Sequence, residues 1–107
     1  MIVKTFGNFS VKVLENIAYI DKNILDNETI KVIVKNITPF PVEVEIHYPD
    51  KDYSIELKPN LIMDVPIPFE KIILSRPTTV YIINSNIKDL SILDNKEYID
   101  LLDYIYN

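Results

Sequence analysis

The chain has 107 residues, of which 48% are hydrophobic and 25% charged, a composition that supports one folded domain with its own core. Its net charge of -5 argues against binding nucleic acid by phosphate neutralisation, which needs a basic face. With no cysteine, one histidine and one glycine, the chain lacks the residues for disulfides, thiolate metal sites and glycine-rich phosphate loops.

The N-terminal part predicts two strands, Ile2–Phe6 and Ser10–Leu14, separated by a turn at Gly7 and Asn8. The polar stretch Asp21–Asn27 then predicts a loop. The first residues lack the long apolar run of a signal peptide, and no run of 18 apolar residues predicts a transmembrane helix. We therefore expect no membrane insertion, and a protein that is cytoplasmic or associated with a virion.

The strongest pattern covers two segments, Thr29–Asn36 and Pro41–Tyr48, in which β-branched residues alternate with polar ones. The alternating apolar residues are Ile30, Val32, Val34, Val42, Val44 and Ile46. If the two strands form a direct hairpin, the lysines of the first face the glutamates and His47 of the second. If the chain crosses between two sheets, these side chains do not meet. The sequence leaves both arrangements open.

Further strands follow along the chain. Tyr53–Leu57 alternates again, and Leu61–Phe69 carries Pro66 and Pro68, which cannot donate to a ladder and so favour an edge strand. Residues 78–83 are apolar on both faces, which predicts a central strand. A last strand is predicted at 87–93.

The period changes to that of a helix at the C-terminus. Asn95–Tyr106 predicts a short amphipathic helix, with Asp94 as N-cap and Glu97 completing a capping box. Its apolar stripe is formed by Tyr98, Leu101, Leu102 and Ile105. A helix this short is marginal alone in water, so the stripe must dock on the chain's own domain or on a partner.

Seven or so short strands joined by polar turns predict an all-β fold, an antiparallel β-sandwich over residues 1–93, with residues 94–107 as a docked C-terminal helix. An open barrel is the nearest alternative.

Residues 28–86 resemble the immunoglobulin-like and fibronectin-like β-sandwich modules of surface, adhesion and virion proteins. The matching stretches are Val32–Thr38, Pro41–Ile46 and Ile55–Asn60, in which a strand ends in Asn, a short loop leads to a second strand, and an L-x-P-N turn follows a third. Asn60 stands where such modules often have glycine. The resemblance implies an immunoglobulin-like sandwich with a binding or structural role, and it implies no catalytic residue.

The residues favour neither catalysis nor a cofactor. His47 shares a predicted strand face with Glu43 and Glu45, a pattern we interpret as a solvated face, because one imidazole makes a poor transition-metal site. No serine lies in a G-x-S-x-G elbow. We expect no enzyme, no metal and no cofactor. Three N-x-S/T sequons, at Asn8, Asn27 and Asn36, are interpreted as chance in an Asn-rich chain.

The function favoured by the sequence is a non-catalytic structural or protein-interaction module, a subunit of a larger assembly such as a virion or a cell-surface complex. Its partner would be another protein or further copies of the chain. Apolar and proline residues predict the interaction surface: Phe40, Pro66, Pro68, Tyr98, Tyr104, Ile105 and Tyr106.

Two other functions stay open. The first is a small-ligand or carbohydrate-binding module, which needs coplanar exposed aromatics among Tyr48, Tyr53 and Tyr81. The second is an acidic viral regulatory inhibitor that blocks a basic site, which needs carboxylates clustered on one face, with Glu43, Glu45 and Glu56 the first to inspect.

Overall fold

A computed structural model describes residues 1–87 and 94–107 of the chain. The elements are β1 (Ile2–Phe6), β2 (Phe9–Asp21), a 3-10 turn (Lys22–Ile24), β3 (Thr29–Lys35), β4 (Val42–His47), β5 (Asp52–Leu57), β6 (Ile62–Val65), β7 (Lys71–Ser85) and α1 (Lys96–Tyr106). The prediction of an all-β chain with a short C-terminal helix is confirmed. The strand predicted at 87–93 lies outside the described residues, apart from Ile87, which is not in a strand.

The seven strands form one antiparallel sheet that divides into two halves. One half has the order β1-β2-β7-β3-β6, and the other is formed by β4, which pairs with β5 and β7. The 15-residue β7 serves both: its first part pairs with β4 and its second part with β3. The arrangement is compatible with a β-sandwich.

The chain crosses between the two halves after β3. β3 pairs with β6 and β7, whereas β4 pairs with β5 and β7, so β3 and β4 do not form a hairpin. The lysines of β3 therefore find other partners. Lys31 lies 3.2 Å from Asp64 of β6, and Lys35 donates to the Ile105 carbonyl oxygen at 2.9 Å.

The main core lies between the halves. It collects the inward-facing residues of β3, β4 and β7, including Val32, Val34, Val44 and Ile72. Val32, Val34 and Val44 belong to the alternating residues that predicted β3 and β4, whereas Ile72 lies in a part of β7 that was not predicted as a strand. The fold thus buries the alternating face of the sequence.

A second core lies on the outer face of the first half, under α1. Ile33 and Ile83 point to this side, and Tyr98, Leu101 and Ile105 of α1 cover them. The double burial explains why the central strands are apolar on both faces. It also gives a short helix the packing that it needs to be stable.

Two strands are longer than predicted, and for one reason. β2 continues past Leu14 to Asp21 through a register shift next to Asn16, which has φ 57°. β7 begins at Lys71 and passes through Pro77, next to Thr78, which pairs with Ile17 of β2 close to the same register shift. These irregularities lie where the sheet turns from one half to the other, and they break the period that the prediction relied on.

The prediction of Asp94 as N-cap is wrong. Asn95 is the cap, and its side chain accepts hydrogen bonds from the N–H groups of Glu97 (2.8 Å) and Tyr98 (3.4 Å). Either residue type can cap a helix, so the helix period alone does not fix the cap to one residue. At the L-x-P-N turn, Asn60 has φ 66°, the left-handed conformation in which glycine is common and asparagine is tolerated.

Candidate functional site

The seven residues predicted to form an interaction surface lie in three separate places. Phe40 is exposed in the loop between β3 and β4, Pro66 and Pro68 are exposed after β6, and the rest belong to α1. They do not form one surface. Phe40 lies at the far end of β4 from Pro66, with the Arg76 guanidinium 4.5 Å from its ring centre.

The residues of α1 divide into a buried and an exposed group. Tyr98 and Ile105 are buried in the second core, where the Tyr98 ring lies 5.3 Å from that of Phe9. Tyr104 is at the rim, 5.9 Å from the Phe6 ring, and Tyr106 is 54% exposed. The apolar stripe of the helix thus packs on its own sheet, and only its rim is open to a partner.

An open cavity lies between the edges of β5 and β6, and we call it the β5–β6 groove. It has a volume of about 550 Å³. Its lining consists of Ile46, Tyr48, Pro49, Asp50, Lys51, Tyr53, Ile55, Met63, Asp64 and Pro66. Most of these side chains are apolar or aromatic, which is typical of binding sites in general.

The groove arises from the inner face of β5. Tyr53, Ile55 and Leu57 point inward, opposite Ile46, Val44 and Val42 of β4, as the pairing register shows. Leu57 is buried, but Tyr53 and Ile55 are 43% and 44% exposed. The facing strand β6 has only four residues and is followed by Pro66, so it covers little of them. Two apolar side chains of a core face are left open to solvent.

A pair of tyrosines forms the end wall of the groove. The Tyr48 hydroxyl donates to the Pro66 carbonyl oxygen at 2.8 Å, and the Tyr48 and Tyr53 rings meet edge to face, 5.7 Å apart at 81°. Burial, and then the neighbouring Tyr53, raise the pKa of Tyr48. The pair is not coplanar, and Tyr81 lies in the second core, so the aromatic platform that a carbohydrate site needs is not formed by these three residues.

β5 also has a free edge. Within residues 1–87 and 94–107 it pairs only with β4, so alternate N–H and C=O groups point away from the sheet. These groups lie beside the groove. β6 is likewise paired on one side only among those residues, but Pro66 directly after it has no N–H and ends its ladder.

The outer face of the same hairpin is acidic. Glu43 and Glu56 stand directly opposite each other, and Glu45 stands opposite Ser54. The carboxylates of Glu43, Glu45 and Glu56 therefore share one face, as the inhibitor hypothesis requires. The face lies on the other side of the sheet from the groove.

His47 lies on this acidic face, as the alternation predicts. Its Nδ1 is 3.0 Å from a carboxylate oxygen of Asp52, and its Nε2 is 3.4 Å from one of Glu45. Within the described part of the chain, no three histidine or acidic residues are placed to hold a metal ion. The same part contains no helix with the length and apolar character to span a membrane.

Comparison with family models, with curated proteins and with solved structures found no match.

Alternation predicts Tyr48 and Tyr53 on strands, and Tyr53 lies in β5 whereas Tyr48 directly follows β4; it does not identify Ile55 and Met63 as lining a groove. Alternation shows which face of β5 is apolar, but it does not show how far that face is covered. The proline after β6 was the available signal, because it limits how much of the neighbouring face β6 can shield.

Proposed function

We propose that this chain is a non-catalytic protein-interaction module with an immunoglobulin-like sandwich, and that it binds an extended segment of a partner protein along β5. The observation that carries the proposal is the edge of β5 that no other described strand pairs with, beside the half-exposed Tyr53 and Ile55. The immunoglobulin-like assignment is supported by the crossing after β3 and by the left-handed Asn60.

Strand addition uses both features of the site. An extended segment next to β5 would hydrogen-bond to the free backbone groups, and every second side chain would lie over the groove. The backbone bonds supply affinity without regard to sequence, and the groove selects apolar side chains. The Tyr48–Pro66 hydrogen bond holds the end wall in place before binding, which lowers the entropy lost on association.

The groove favours binding over catalysis. Among the described residues, its lining contains the acidic side chains Asp50 and Asp64 and the amine of Lys51, but no serine, threonine or histidine. The one histidine lies on the opposite face of the sheet. A nucleophile paired with a base is the usual requirement for covalent catalysis, and the groove does not supply it. Strand addition of this kind would join the chain to a larger assembly, such as a virion or a cell-surface complex.

Selection of short extended peptides on the intact chain tests this function. Ile55→Glu places a charge in the groove, and the matched control Ile37→Glu changes a 57%-exposed isoleucine in the loop after β3. We expect selected peptides to lose about tenfold or more in affinity for the first variant and to keep it for the second. Hydrogen exchange should slow at the amides of β5. The proposal would be overturned if Ile55→Glu left the affinity of the peptides unchanged, or if their binding slowed exchange at no amide of β5.

A further inference from the structure

The two faces of β5 differ in chemistry, and we infer that the segment it binds alternates apolar and basic residues. The inference rests on the proposed function and names the partner's chemistry. Side chains of a strand added to β5 alternate between the same two faces, about 5 Å from their neighbours on β5. One set meets the groove and the other meets the acidic outer face.

The outer face of β5 has a carboxylate near each end, and the one at Asp52 contacts His47. Asp52, Ser54 and Glu56 point outward there, and the next strand places Glu43 opposite Glu56. Two carboxylates in direct cross-strand register repel each other. The Glu43 carboxylate accepts a hydrogen bond from the Ser54 hydroxyl, but within the described ranges neither Glu43 nor Glu56 forms an ion pair with a lysine or arginine. A cation brought in by an added strand would relieve this repulsion.

The groove face of β5 favours apolar side chains instead of basic ones. Tyr53 and Ile55 are already apolar, and Met63 lies across the groove from them. An apolar side chain placed between these residues removes their surface from water, which contributes about 25 cal/mol for each Å² covered. A bound segment therefore gains most when its residues alternate strictly between the two types.

A second copy of the chain fits this edge poorly. If two β5 strands paired antiparallel about Ser54, Asp52 of each would stand opposite Glu56 of the other, placing like charges in register. Each copy also has a net charge of -5. The observations favour a basic segment of a different protein.

Three synthetic peptides matched to the six residues of β5 test the inference. All have valine and isoleucine at alternate positions, with lysine, serine or glutamate between them. We expect the lysine peptide to bind at least about tenfold tighter than the serine peptide at low salt, and the difference to shrink at high salt. The glutamate peptide should bind weakest. Fluorescence anisotropy of labelled peptides measures all three.

Charge reversal on β5 supplies the control. Glu56→Lys should abolish the preference for lysine, whereas Glu15→Lys, the same change of charge at an exposed position on β2, should keep it. Equal binding of the lysine and serine peptides, with slowed exchange in β5, would overturn the inference but leave the proposed function intact. Failure of both peptides to bind would overturn the proposed function. A dimer that Ile55→Glu disrupts would make a second copy the occupant.

Discussion

Asn36, directly after β3, is a polar residue held inside the fold by side-chain hydrogen bonds. Its amide nitrogen donates to the carbonyl oxygens of Phe40 (2.8 Å) and Leu57 (2.9 Å), and its oxygen accepts the Thr38 N–H at 2.9 Å. The side chain has no exposed surface. A glycan at this sequon would have to replace both hydrogen bonds, which supports the interpretation of the sequon as chance.

Asn36→Ala should reduce the free energy of unfolding by about 1–3 kcal/mol, because buried groups lose their hydrogen-bond partners. Urea unfolding followed by circular dichroism measures the loss. The control Asn23→Ala, at an exposed position in the turn after β2, should change stability by less than about 0.5 kcal/mol. Equal effects of the two substitutions would show that the buried network contributes nothing.

At the scale of elements, α1 is tied to the first hairpin through Glu97. The Glu97 carboxylate accepts the Asn8 N–H at 3.0 Å, in the turn between β1 and β2. Gly7 in that turn has φ 63°, and a Cβ there would collide with the Glu97 carboxylate. At the other end of the helix, the Lys35 ammonium donates to the Ile105 carbonyl, where a cation also offsets the helix dipole.

Gly7→Ala should therefore destabilise the chain in two ways. An alanine in the left-handed conformation costs about 1 kcal/mol, and its Cβ also displaces the Glu97 carboxylate. Glu97→Ala should cost about 1 kcal/mol by itself and clearly less in the Gly7→Ala background, because the hydrogen bond has already been lost there. A double-mutant cycle of unfolding free energies measures the coupling. Strict additivity would contradict the proposed collision.

The elements also show what the sequence can and cannot predict. Strands with an unbroken period, such as β3 and β4, were predicted to within two residues, because alternation reports one buried face directly. β2 and β7 were predicted too short, since Asn16 and Pro77 break the local pattern while long-range pairing continues. The exposure of Ile55 depends on how far β6 reaches across the groove, and no local pattern of β5 contains that information.

At the scale of the whole molecule, the groove and the second core respond to alkaline pH in the same direction. The pKa of Tyr48 is raised from its ordinary value of 10.0 by burial and by Tyr53, and that of Tyr81 is raised by burial and then by the charges of Tyr104 and Glu15. Both shifts mean that folding favours the neutral phenol. Ionisation of Tyr48 would also remove the proton donated to Pro66.

Because the folded-state pKa lies above the unfolded one, this contribution to stability is complete below pH 10 and is lost as the pH rises through the folded-state values. We expect the urea midpoint to fall as the pH rises above about 10. The double variant Tyr48→Phe/Tyr81→Phe should show a shallower decline over this range, even though its stability at neutral pH is lower through loss of the Tyr48 hydrogen bond. An equally steep decline in the variant would assign the alkaline response to other groups. Lys31 is one such group. Burial lowers the pKa of Lys31, but the hydrogen bond to Asp64 and the interaction with Tyr98 raise it overall. The Lys31 ammonium therefore also loses its stabilising charge as the pH rises.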